Sequence, residues 1–189
     1  MSNTIMSQLQ KYPKEAAIIG RLLIGYGEIE FDIAQALGEA IDNMDGALRA
    51  IYRMRSEQQR IDAADALMRR KYEQAGLSNE YSRTLGAIRQ CRKIRNQFAH
   101  CHWVDDKELG LCFLDIQDTA SKPPGNWKIK PKPIDLPLLK QQEAYFAYTA
   151  KCLTRMRQRL MAPSLNVDPD LHFAMPPKQP EPKLHNRQT

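Results

Sequence analysis

Cysteine is scarce and unpaired in this sequence. Its four copies, Cys91, Cys101, Cys112 and Cys152, make no C-x-x-C or other ligand spacing, so neither a zinc framework nor a disulfide scaffold is expected. Long apolar runs are missing too. The most apolar stretch, 16–37, is interrupted by Arg21, Glu28, Glu30 and Asp32, and the first fifteen residues contain no cleavable apolar core. These absences exclude a membrane span and a secretory signal and point to a reducing cytoplasm. There is no internal repeat. Aromatic residues are few, and Trp103 and Trp127 read as packing residues under a hairpin rather than as platforms for stacked bases.

What the sequence does have is basic charge in one place. The 189 residues fit one ordinary domain, 42% of them are hydrophobic, and the net charge is +6. Residues 1–48 carry three basic and seven acidic side chains, whereas 49–103 carry twelve basic and five acidic, including ten of the fifteen arginines. The basic middle leans toward an acidic partner such as nucleic acid.

Helical periodicity dominates. On a 100° wheel Ile18, Ile19, Leu22, Leu23, Tyr26, Ile29, Ile33, Leu37 and Ile41 share one arc, predicting a long first helix. A second, arginine-studded helical region follows Asp45-Gly46 and ends at Gly76, and Ser78 is a suitable N-cap for a helix over 79–100. The texture then turns β-like: 108–118 and the alternating segment from Trp127 predict a hairpin inserted over 104–135, with SKPPGN as its turn. A stripe including Leu138, Leu139, Tyr145, Phe146, Cys152 and Met156 restores a helix that ends near Ala162. The expected fold is therefore mostly α, an antiparallel helical bundle over 1–162 with a hairpin before the last helix. The tail, 163–189, holds six of the twelve prolines and is expected to be disordered or loosely attached.

The stretch with chemical content is CRKIRNQFAHCHW, residues 91–103, where Arg95, Asn96 and His100 form R-N-x-x-x-H. An accidental R-x4-H is expected about 0.3 times in a chain of this composition, and an Asn after the Arg lowers that to about 0.01. Cleaving RNA without a metal needs a group that moves the proton of the 2′-hydroxyl or the leaving oxygen, and a cation for the charged phosphorane. A histidine suits the first task and an arginine fork the second. On a straight helix residues five apart lie about 140° apart, so either the helix ends before His100 or two chains bring their motifs together. Asn96 and His100 share a helix face with Arg89 and Arg92, a polar strip that with His102 suits an RNA backbone.

Arg95 falls on the apolar side of its helix, and Glu30 falls inside the apolar arc of the first helix. A pairing of the two in the interior is the expected resolution. The plainer readings are a structural ion pair for Arg95, a helix-end dipole contact for His100 and His102, and a solvated face for the other arginines. His100, His102, Asp105 and Asp106 carry ligand-type atoms but no recognised metal spacing, so no metal or other cofactor is expected.

Arg95-Asn96-Gln97-Phe98-Ala99-His100 resembles the motif of the HEPN superfamily, small helical proteins, and the likeness extends loosely over 15–162. The resemblance implies a homodimer that cuts RNA without metal at a site shared by two subunits, with a protein antitoxin as a further partner in toxin members. Some toxin members continue the motif to H-x-Y; here that position is His102, so modification of the Tyr does not carry over. The I-R-N-x-F-A-H run also looks like regulators similar to the mannitol operon repressor, for which the implied role is a non-catalytic helical dimer in transcription or partner binding.

Overall fold

Pro13 opens the first helix, α1 (Pro13–Ile41), where its missing N–H costs no hydrogen bond and its fixed φ already suits a helix. The computed structural model describes residues 6–116, 120 and 130–185. Ile18, Ile19, Leu22, Tyr26, Ile29, Ile33 and Leu37 are buried, as their shared arc requires, while Ile41 in the last turn is exposed. Asp42 ends the helix in a left-handed conformation (φ 52°). Asn43 then caps α2 (Met44–Arg53), its Oδ1 accepting the Gly46 N–H at 2.9 Å. The corner is tight: a Cβ on Gly38 would lie 2.7 Å from Met44 Sδ and 3.0 Å from Met44 Cα.

The arginine-studded region is two helices rather than the one expected. Met54 is extended and Ser56 caps a fresh start, so α2 gives way to α3 (Glu57–Gln74). Gly76 closes α3 at φ 73°, with the Leu77 N–H reaching the Tyr72 carbonyl at 2.9 Å. Leu77, not Ser78, holds the cap position of α4 (Ser78–Ala99), its carbonyl accepting the Tyr81 N–H at 2.9 Å.

A three-stranded antiparallel sheet follows, in the order β1 (His102–Asp106), β2 (Gly110–Leu114), β3 (Lys132–Pro133). Trp103 faces Phe113 in the register of β1 and β2, and Cys112 faces Pro133 in that of β2 and β3. The β2–β3 pair is the hairpin partnership expected from the texture. The additional strand, β1, starts at His102, ahead of the expected boundary at 104. Its turn is built by Asp106, whose Oδ1 accepts the N–H groups of Glu108 (2.9 Å) and Leu109 (3.0 Å), and by Gly110 at φ 73°. Trp127 and the SKPPGN turn lie outside the described residues.

The last long helix, α5 (Leu136–Leu165), runs past the expected end near 162 and includes Pro163, and a short helix, α6 (Pro169–His172), follows. The chain is thus mostly α with a small sheet ahead of the last long helix. It divides into two units, one of Met1–Ile24, Lys93–Ala144 and Pro182–Thr189, the other of Gly25–Arg92 and Tyr145–Glu181. In the first, Phe98, Trp103, Phe113 and His185 form an aromatic cluster, with Phe98 5.6 Å from both Phe113 and His185. The proline-rich tail, expected to be loose, therefore returns to this core: His185 is buried there. In the second, Tyr72 stacks on Tyr81 at 5.0 Å, and Ile61, Ala64, Met68 and Leu153 are buried. Among the described residues no helix is long and apolar enough to cross a membrane.

Candidate functional site

The first unit holds Arg95, Asn96, His100 and His102; the second holds Glu30, Arg89 and Arg92. In the first, the R-N-x-x-x-H run forms the end of α4. Asn96 and His100 are exposed and Arg95 is half-buried, its Nη1 donating to Asn96 Oδ1 at 3.1 Å. The helix stops at Ala99, so His100 sits in the turn beyond it and escapes the 140° offset that a continued helix would impose.

Two of the three residues between Asn96 and His100, Gln97 and Phe98, anchor the motif. Gln97 exchanges two hydrogen bonds with the backbone of His185, donating from Nε2 to the carbonyl at 3.0 Å and accepting the N–H at Oε1 at 3.1 Å. Phe98 is buried in the aromatic cluster, and the Cys101 thiol donates to the Phe98 carbonyl at 3.3 Å. The outward residues thus project from a segment whose inward residues are fixed by packing and by the tail.

His185 is a structural residue of this site that sequence reading missed. Its imidazole lies 3.5 Å from Gln142 Nε2 at Nδ1 and 3.4 Å from the Asp135 carbonyl at Nε2, and Gln142 also donates to the Lys183 carbonyl at 2.9 Å. These neighbours call for the neutral ring with its proton on Nε2. Burial lowers the pKa of His185, and the Asp135 carbonyl opposes that shift only in part. No periodicity marks a lone histidine in a proline-rich tail, so the one signal available was its being the last histidine of the chain, beside Leu184.

The carboxylates after the motif have other work. Asp105 accepts from Tyr12 Oη at 2.7 Å and from Lys11, which lowers its pKa and raises that of Tyr12. Asp106 is held down by the N–H groups of its own turn. Among the described residues no three His, Cys, Asp or Glu side chains gather as a metal site. Burial, with Asp115 adding to it, pushes the Cys101 thiol up to about 12, so this sulfur is not a thiolate at neutral pH.

In the second unit Glu30 is largely buried, as its place in the arc requires, but the cation it meets is Arg60. The Nη1 of Arg60 donates to Oε1 at 3.1 Å and to Oε2 at 3.0 Å, while its Nε donates to the Met54 carbonyl at 2.9 Å. Within this unit the α2–α3 break at Met54 brings Arg60 to the carboxylate, which meets the requirement for a cation that the place of Glu30 in the apolar arc sets. Arg89 does not contribute an uncompensated charge either: its Nη2 lies 3.3 Å from Asp62 and 3.2 Å from Asp65. Arg92 is half-buried one turn later on α4.

No family model, curated protein or solved structure matches the chain. The chemistry has to be read from the side chains themselves. The first unit presents an exposed imidazole, an exposed amide and a guanidinium bonded to that amide, which are a proton carrier, a polar contact and an oxyanion stabiliser.

Proposed function

We propose that the protein is a metal-independent RNA endonuclease of HEPN type, working as a homodimer whose shared site is lined by Arg95, Asn96 and His100. The observation that carries the reading is the division of labour within one short segment. Gln97 and Phe98 are tied into the core, while Asn96 before them and His100 after them stay exposed and Asn96 accepts from Arg95. A segment that existed only to staple helices would have no need to hold a polar amide and an imidazole outward at its end. In the proposed reaction His100 takes the 2′-hydroxyl proton or protonates the leaving 5′-oxygen, and Arg95, oriented by Asn96, neutralises the phosphorane. His102 and Arg92 are the remaining candidates for phosphate contact, with Arg89 weakened in that role by Asp62 and Asp65. An antitoxin-type inhibitor would act by covering this site.

A second reading, the non-catalytic helical dimer serving as a regulator or partner-binding module, is favoured by a different observation. Much of the basic charge that suggested nucleic acid is spent inside the chain, with Arg49, Arg60, Arg69 and Arg89 all on carboxylates. Gel assays of RNA cleavage in EDTA separate the two readings. The nuclease predicts that wild type cuts, that Arg95→Ala and His100→Ala each lose about a hundredfold or more, and that mixing the two variants restores part of the activity through mixed dimers. The regulator predicts intact RNA throughout, with any effect of Arg95→Ala confined to the melting temperature.

A further inference from the structure

Six arginines of the second unit pair with carboxylates of the same unit: Arg49 with Asp45, Arg60 with Glu30, Arg69 with Asp65, Arg89 with Asp62 and Asp65, Arg157 with Asp32 and Glu39, and Arg159 with Glu80 and Asp170. Arg83, on α4, is different. Among the described residues it makes no ion pair, and its Nε and Nη2 donors are buried without a protein acceptor. The carboxylate one turn before it, Glu80, is held by Arg159 at 3.7 Å. A half-buried guanidinium with two buried, unused donors is unfavourable unless something supplies oxygen acceptors.

Beside Arg83 lies a cavity of about 500 Å³, within the size range of small-molecule sites. α4 walls it with Ser82, Arg83 and Gly86, α5 with Tyr145 and Tyr148, and the segment after α6 with Lys178. The hollow is open on the α4 side because Ser82 and Gly86, one turn apart, are small; a Cβ on Gly86 would meet no atom within 4 Å. Two cations thus face one carboxylate, the exposed Glu181. Burial raises the pKa of both tyrosines, so both hydroxyls stay protonated, that of Tyr148 engaged with Cys152. Their rings supply the apolar wall that a purely ionic surface would lack.

We infer that this cavity binds a compact organic oxyanion, with a phosphate or carboxylate head on Arg83 and Lys178 and an apolar body against Tyr145 and Tyr148. Arginine presents a planar fork of donors that matches either head, and the partly enclosed setting strengthens the pair relative to open solvent. Nothing in this site draws on the Arg95 motif, so the two assignments stand or fall separately.

Isothermal titration with phenyl phosphate, benzoate and phenol offers one ring with three heads. At least one of the two anions binds in the millimolar range or better and phenol binds about tenfold more weakly or not at all; whichever anion is tighter identifies the head. Arg83→Gln weakens that anion about tenfold or more, and Gly86→Leu, which adds a bulky side chain to the lining at a position where a Cβ meets no atom, removes binding. Both variants keep the wild-type circular dichroism. Because Arg83 has no ion pair to lose, Arg83→Gln also melts at or above the wild-type temperature, and if it nevertheless fails to fold, Gly86→Leu alone decides. Anions that bind no better than phenol, no anion binding up to about 10 mM, or anion binding unchanged in Gly86→Leu overturns the assignment.

Discussion

The carboxylate of Glu30 and the guanidinium of Arg60 are both largely withdrawn from water, their side chains 13% and 20% exposed, and two N–H···O contacts join them. Removing one partner strands the other, so Glu30→Ala should lower unfolding stability by about 2–4 kcal/mol. Replacing both with Met should cost clearly less than the sum of Glu30→Met and Arg60→Met made singly, a coupling that denaturant titration of wild type, the two single Met variants and the double variant will read directly. Additive losses would show that the pair is not coupled. The angle of Glu30 in the apolar arc was enough to say that it faces inward. It could not say which cation crosses to it, since Arg60 reaches it through a helix break thirty residues on. His185 gives a pH dependence at the same scale. Its folded pKa lies below the ordinary value near 6.5, so the unfolded chain binds its proton first and stability rises with pH in that window. The contribution is complete above about pH 6.5 and falls as pH drops through and below it. Wild type should therefore lose more melting temperature between pH 7 and pH 5 than His185→Gln does. Equal losses in the two proteins would remove His185 from the account.

Helix and strand boundaries in this chain are set by single residues with specific backbone jobs. Gly110 holds φ 73° at the end of the β1–β2 turn, a conformation that a β-branched residue adopts only under strain. Gly110→Val should cost about 1–2 kcal/mol and loosen the sheet, with faster amide exchange at Val104 and Cys112 as the local signature. Unchanged exchange there would show that the turn does not set the register. Gly38→Ala tests the α1–α2 corner: the added methyl meets Met44 Sδ and Cα, so the variant should be destabilised although alanine favours helices. The elements with sustained 3.6-residue periodicity, α1, α4 and α5, were legible because each buries a long stripe. The break at 54–56 was not, because Glu57, Gln58 and Gln59 follow Ser56 without any apolar residue to mark a change of phase. β1 was hidden for a related reason: five residues directly after a helix give too short an alternation to separate a strand from a fraying end.

At the scale of the whole molecule, net charge proved a weak guide, because it counts arginines without asking which are already neutralised. Arg60, Arg89, Arg157 and Arg159 are held by carboxylates of their own unit, while Arg83 is not and lines a cavity. The candidate site was legible as a motif, since Arg95, Asn96 and His100 are adjacent in sequence. Its support was not, since Gln97 is held by His185, a residue 88 positions away in a tail with no core-forming pattern. The homodimer that the proposed site requires should appear as twice the chain mass in light scattering of the purified protein, and a monomer under cleavage conditions would rule out a shared site. The most direct test of the account is the rate of RNA cleavage in EDTA by wild type and by His100→Ala, compared at equal folded concentration. The account predicts cutting by wild type and a loss of about a hundredfold or more in the variant. Equal rates, or RNA left intact by the folded wild-type dimer, would contradict it.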